Sequence, residues 1–558
     1  MRATKMKNAI LNTRQFLAPM AAVALLAATA YAAAPGITGT GTAGTFNLTA
    51  QTAFLNQPDG AGVYAWGYGC TTGSTPTFNP PASLMPGAAC PTMQVPGPTL
   101  IVTEGTVVTV NLTNNLPPSA GNTSILFPGF QVTSPTTGAG VGVPGLLAQE
   151  AAPGGGMVTY TFTASSPGTR AYYSGTQSDL QVEMGLYGAI IVLPASVPSN
   201  CTTGLHAANL LVEAAHSESD FRLSQAAYDH PGTCYDREYL FQFSEMDVNI
   251  HRQALAQVAA KDGCTPGAPG CSLEVPTEPY HPGYFLVNGR SMPDLMDPNY
   301  GAEYPHQPYN GNPHMHPGEL TLIRVIGQGR WEHPFHEHAN HVRILARDGN
   351  LILSNSTTSI NYSSGGGTDA SGRALAGLLM FTTDTFPGQS FDGIFYFTGR
   401  GLNWDAYGHN NADAANLTSH PPCVPDANGY YTAASGAPAN AINYYEWCQD
   451  HLKPLQVAPF GDVGGGGPAT LPDANIFTNG AWYSGSPYLG PDATTRATGP
   501  TSSFQPSNVQ ANPASERGWA FMWHSHNERE ITTNNVFPGG MLMMMLVDSR
   551  EFLIDESM

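Results

Sequence analysis

The chain has 558 residues, a formal charge of −20 and only 11% charged side chains. That acidic balance argues against nucleic acid, which needs a basic footprint, and against anionic membrane surfaces, which attract Lys and Arg clusters. The length exceeds what one β-sandwich core organises, and 62 glycines with 47 prolines lie well above ordinary usage of turn-forming residues.

Residues 1–32 read as a secretory signal peptide. Arg2, Lys5, Lys7 and Arg14 form a positive region, Phe16 to Ala28 a short apolar run, and Ala30-Tyr31-Ala32 a small-residue cleavage site. Its removal takes away four positive charges and no negative ones, moving the formal charge from −20 to −24. No later segment has a spanning length of apolar residues. The expected location is therefore exported: periplasmic, cell-surface or extracellular.

Strand-like runs follow in order. "PTLIVTEGTVVTVNLTNNL" (98–116) alternates Val108, Val110 and Leu112 against Val107, Thr109 and Asn111. "GMVTYTFTA" (156–164), "YGAIIVLPA" (187–195), "REYLFQFSEMD" (237–247), "ELTLIRVIG" (319–327), "HVRILARDG" (341–349) and "FDGIFYFTG" (391–399) continue the pattern. β-Branched and aromatic residues bounded by Gly, Pro and Asn predict an all-β fold, most simply sandwiches. Helical periodicity is scarce, and "RQALAQVAAKDG" (252–263) is one short candidate. A strand ending in Pro- and Ser-rich sequence at 190–204 marks a break, giving an N-terminal domain over 36–197 and a second over 205–558. Residues 401–515, rich in Gly, Pro, Asn and Ala, read as a loop-rich insertion in the second domain.

Eight cysteines suit an oxidising compartment. Their spacing suggests the pairs Cys70 with Cys90, Cys264 with Cys271, and Cys423 with Cys448, leaving Cys201 with Cys234. With no C-x-x-C pair present, stapling is the expected role rather than redox catalysis.

Two stretches carry paired histidines. "RWEHPFHEHANHVRILARDG" (330–349) holds His333, His336, His338 and His341, and "GWAFMWHSHNERE" (518–530) holds His524 and His526. In an extended strand His336 and His338 share one face and Glu337 the other; likewise His524 and His526 point away from Ser525. Two such pairs on neighbouring strands could present four imidazoles to one point, a donor set that suits copper, zinc, iron or nickel. "NPHMHPGE" (312–319) repeats the spacing at His314 and His316, but flanking prolines favour a loop. "MLMMML" (541–546) reads as a buried methionine-filled strand.

"HPFHEH" resembles the H-P-x-H-x-H motif of the multicopper oxidases, the laccase and copper-nitrite-reductase superfamily built from cupredoxin domains. "WHSHNERE…GGM" resembles their closing H-C-H-x-x-x-H motif followed by G-M. "PGPTLIVTEGTVVTVNLTNNL" and "GTRAYYSGTQSDLQVEMGLYGAIIVLP" (168–194) are similar to the opening and closing strands of their first domain. The resemblance implies tandem cupredoxin-like Greek-key sandwiches. It also implies ligands residue by residue, and there this chain departs. "TSILFPGF" (123–130) carries Leu126 and Pro128, and "GTRAYYSG" (168–175) carries Tyr173 and Gly175, at the four first-domain ligand positions. His333 falls on a blue-copper position, and His336, His338, His524 and His526 on trinuclear-cluster positions. The cysteine that would ligate the blue copper and pass its electrons on is Ser525, and the following blue-site histidine is Glu530. Met541 falls near the axial-methionine position, after a longer stretch than the family spacing.

A serine hydroxyl offers copper none of the soft, covalent affinity of a thiolate. With half the cluster ligands replaced as well, the expectation is no laccase-type activity. The remaining imidazoles could hold one metal, copper first, with iron, manganese or zinc as alternatives. Glu332, Glu528 and Glu530 could act as ligands or hold the imidazoles, and surface solvation is expected for Glu337. Three functions follow: a metal-binding protein with a remodelled histidine site, an oxidoreductase with chemistry unlike that of laccases, or a metal-free scaffold that binds a partner. The partner is an unspecified small molecule or protein.

Overall fold

The computed structural model describes residues 34–215, 218–316, 319–354, 368–369, 371–397, 485–488, 518–548 and 554. The leader at 1–32, Cys423, Cys448 and nearly all of 401–515 lie outside the described residues.

The alternating run at 98–116 forms strands Leu100–Thr103 and Val107–Asn114. In the second of these, Val108, Val110 and Leu112 are fully buried while Val107 is exposed, as the period-two pattern requires. Val107–Asn114 lies between Thr45–Asn56 and Gly156–Thr163 in a four-stranded sheet completed by Gly62–Cys70. A five-stranded sheet faces it, with Leu100–Thr103 between Tyr187–Leu193 and Gly36–Gly39. Trp66, Leu112 and Phe162 from one sheet and Leu100, Ile190 and Tyr172 from the other share a single core.

Residues beyond 236 build a second pair of sheets. The larger centres on Arg237–Met246, Leu320–Gly327 and Ser390–Tyr396. The other sets His333–Glu337 between Thr382–Thr385 and Gly518–Ser525, and Leu542–Asp548 follows beyond the latter. Phe241, Phe243 and Phe395 from the first pack on Phe335, Trp523, Met543 and Met545 from the second. The methionine run is thus a core strand.

Buried polar contacts join the two halves. Thr169 Oγ1 donates to Asp392 Oδ1 at 2.6 Å, Tyr187 OH to Ser244 Oγ at 2.7 Å, and Gln328 Nε2 to the Gly188 carbonyl at 2.9 Å. Among the described residues the disulfides are Cys70–Cys90, Cys201–Cys234 and Cys264–Cys271, in agreement with the expected pairs.

Two expectations need correction. The short helix begins earlier than periodicity suggested, spanning Val248–Ala260, because Asp247 caps it by accepting the Asn249 N–H at 2.9 Å. A second helix, Gly204–Ala215, follows the Pro- and Ser-rich stretch; its alanines and leucines are good helix formers. His314–Met315 forms a two-residue strand paired with Leu542–Asp548, so the neighbouring prolines bound it without preventing it. No helix among the described residues is long and apolar enough to cross a membrane.

Candidate metal centre

The antiparallel register sets His336 directly opposite His524 and Phe335 opposite Ser525. Residues opposite one another on paired strands share a face, so the imidazoles gather on one side while Phe335, Trp523 and Ser525 turn into the core. Glu337 also turns inward, opposite Trp523, and is fully buried. This corrects the expectation of surface solvation: the face away from the histidines is the core, not water. Both Glu337 carboxylate oxygens are buried without a hydrogen-bond partner among the described residues, and burial holds its pKa well above the usual range.

His336, His338 and His524 are buried and offer ring nitrogens that all lie within 4.8 Å of one another. His524 Nε2 stands 3.3 Å from His338 Nε2. The other nitrogen of His524, Nδ1, lies 2.7 Å from the Ser525 carbonyl, an acceptor only. The proton therefore sits on Nδ1, and the Nε2 lone pair faces His338. Thr382 Oγ1 holds His336 at Nδ1, 2.6 Å away, and Trp523 Nε1 donates to the His338 carbonyl at 3.1 Å. Burial, followed by the neighbouring imidazoles, drives the His336 pKa down to about 3; burial also lowers that of His524. Neutral imidazole is the form that binds metal.

His526 stands at the rim. Its ring centroid is 4.8 Å from that of His336, yet the side chain is 52% exposed and Nδ1 lies 3.5 Å from the Glu528 carboxylate. Glu332 and Glu528 are exposed.

His333 is held apart from this group. Its Nδ1 lies 2.9 Å from Glu530 and its Nε2 2.9 Å from Glu245, and all three side chains are fully buried. Burial disfavours the imidazolium, but the two carboxylates outweigh it and hold the His333 pKa up to about 9. Glu530 further accepts the Ser525 hydroxyl at 2.5 Å and the Asn527 amide at 2.9 Å. Glu245 accepts the Arg330 and Trp331 N–H groups and the Tyr280 hydroxyl. Both ring nitrogens being engaged, His333 has none left to ligate a metal. Met541 is a backbone neighbour here, donating its N–H to the Glu530 carbonyl at 2.8 Å and accepting that of Ser525 at 3.0 Å.

Restoring the missing thiol should therefore not restore a blue site. Ser525→Cys, loaded with copper(II), is expected to show no intense blue absorption, because the carboxylates still occupy His333. It should also lose about 1.5–3 kcal/mol of stability with the hydroxyl–carboxylate bond. A blue spectrum would contradict this arrangement.

In the first half, the segment that carries Leu126 and Pro128 lies beside the one that carries Tyr173 and Gly175. Leu126 and Tyr173 exchange backbone hydrogen bonds, 2.7 Å and 3.3 Å. A Cβ at Gly175 would stand 2.8 Å from Leu126 Cγ, so an apolar side chain fills the space above that glycine. Pro128 is half-buried next to the fully apolar Phe127. His316, from the other H-x-H pair, lies 2.8 Å from Glu218; burial opposes its protonation, and that carboxylate outweighs burial to raise its pKa.

Glu245 is the participant that sequence reasoning missed. The available signal was an acidic residue inside the aromatic strand "REYLFQFSEMD", where a charge needs a partner.

With this geometry in place, residues 89–196 match the family model described as multicopper oxidase. Over that segment the chain is similar to a multicopper oxidase domain. The matched segment contains Leu126, Pro128, Tyr173 and Gly175. Among solved structures, a multicopper oxidase named mgLAC and a blue copper oxidase from Nitrosomonas europaea each align at 14% identity and TM-score 0.41, covering 90% of this chain and 85% of theirs. A copper nitrite reductase from Nitrosomonas europaea aligns at 18% identity and TM-score 0.35, covering 63% of this chain and 84% of its own. No curated protein matches the chain in sequence.

Proposed function

We propose that this multicopper-oxidase-like protein is exported and binds a single transition-metal ion through His336, His338 and His524, with His526 at the rim. In this reading the first cupredoxin-like unit spans 36–197 and the second 205–558. The separation of His338 Nε2 from His524 Nε2, 3.3 Å, carries the proposal. Two nitrogens bound at about 2.0–2.1 Å to one tetrahedral ion stand roughly 3.3 Å apart. The donor set fits: three buried imidazoles in one facing group, at least two of them held neutral by burial. Copper is the first candidate by family, and zinc, iron or manganese would also accept imidazole nitrogen. A bound ion would supply Lewis acidity and an open coordination position. Thr382 and the Ser525 carbonyl hold the His336 and His524 rings in place, and the Trp523 indole fixes the His338 backbone carbonyl. The leader and the disulfides support export.

Ser525 and the Glu245–His333–Glu530 network support the absence of laccase-type turnover, since neither a thiolate at position 525 nor an accessible His333 would be available to hold an electron-accepting copper. Oxygen consumption tests this. Copper-loaded protein given a phenolic electron donor should consume no oxygen above the rate of His336→Ala/His524→Ala treated identically. Uptake by the wild type alone would overturn the reading and favour redox turnover at the same histidines.

A further inference from the structure

The replaced first-domain segment has acquired a cavity. Leu126, Pro128 and their neighbours Phe127 and Phe130 form one wall of a pocket of about 540 Å³. Leu147 and Val132, both exposed, and the buried Tyr160 line it too. We infer that this pocket binds a neutral, ring-bearing small molecule with a hydroxyl or carbonyl end.

Three observations select that class. Volume comes first, since small-molecule sites run to about 300–1,000 Å³. The lining includes the aromatic rings of Phe127, Phe130 and Tyr160, with Phe127 6.1 Å from Tyr160 between ring centroids; Phe162, outside the lining, packs on Phe127 and Phe130 at 4.8 Å from each. That supplies ring faces and edges for an aromatic guest. Polarity decides the rest. Among the described residues no charged side chain lines the pocket, while the polar residues Ser134 and Gln149 do. Tyr160 is already committed, donating to the Gln149 carbonyl at 2.6 Å and accepting the Ile125 N–H at 3.1 Å. A neutral guest can pair with an amide and a hydroxyl. A carboxylate would be desolvated with no cation in the lining, since the Arg170 guanidinium lies over the Phe130 ring, 4.8 Å from its centroid, and is not itself a lining residue.

Equilibrium dialysis of metal-free full chain with 2-naphthalenemethanol tests the site, with 2-naphthoate as the charged analogue. Saturable binding of one alcohol per chain is expected, at least tenfold tighter than the carboxylate. Ala148→Trp, which fills the pocket, and Val132→Trp, which adds bulk at an exposed lining residue, should each weaken binding at least tenfold. Absence of saturable binding, equal binding of the carboxylate, or unchanged binding in the folded variants would overturn the inference. If Ala148→Trp does not fold, Val132→Trp decides alone, being on an exposed loop. Because no metal is added, the outcome is independent of the histidine site.

Discussion

Replacing His333 with alanine is expected to lower unfolding free energy by about 3–5 kcal/mol, the usual cost of removing one partner from a buried ion pair. The ring bridges Glu245 and Glu530 in a fully buried position, so its loss leaves two carboxylates facing one another without a counter-charge. The same network gives stability a defined pH dependence. The His333 pKa is about 9 in the folded chain against 6.5 in its unperturbed state, so folding takes up a proton between those values. Its contribution, about 3 kcal/mol, is fully present below pH 6.5 and is lost as pH rises through 9. Denaturant unfolding at pH 6 and pH 10 should reveal this loss in the wild type. His333→Gln keeps a hydrogen-bonding side chain but cannot be charged, and should show a flatter profile across that window. Equal slopes in the two proteins would contradict the charged state assigned to His333.

Added copper(II) or zinc should raise the unfolding temperature, because an ion that binds only the folded chain stabilises it by about 3 kcal/mol at one hundred times its dissociation constant. The variants sort the histidines. His338→Ala and His524→Ala should abolish the metal-induced shift, since they remove the nitrogens that face each other at 3.3 Å. His526→Ala should keep most of it, its side chain being half exposed at the rim. His333→Gln should keep all of it despite being the least stable in absolute terms. A shift lost in His333→Gln but kept in His524→Ala would reverse the assignment made from the hydrogen bonds.

The sheets were legible in the sequence because period two is written directly in Val108, Val110 and Leu112, and in the separation of His524 and His526 from Ser525. The same periodicity told which face Glu337 occupies but not what lies beyond that face. Local alternation carries no information about a second sheet, and Phe241, Phe395 and Trp523 close over that side. His333 presents a related limit. Its place in a histidine motif suggested a ligand, whereas its partners Glu245 and Glu530 lie 88 and 197 residues away in sequence. Glu245 arrives on the facing sheet, and Glu530 on the turn that follows the neighbouring strand Gly518–Ser525. The pocket behind Leu126 was hidden for a similar reason: substitution at a ligand position announces that a metal is lost, while the cavity depends on Leu147, Gln149 and Tyr160 from other segments.

Metal stoichiometry bears most directly on the central claim. The full chain would be loaded with copper(II), freed of excess by gel filtration and measured by elemental analysis beside His336→Ala/His524→Ala. One ion per chain in the wild type and none in the double variant is the predicted result. Three or four coppers per chain, or the same content in both proteins, would contradict a single remodelled histidine site.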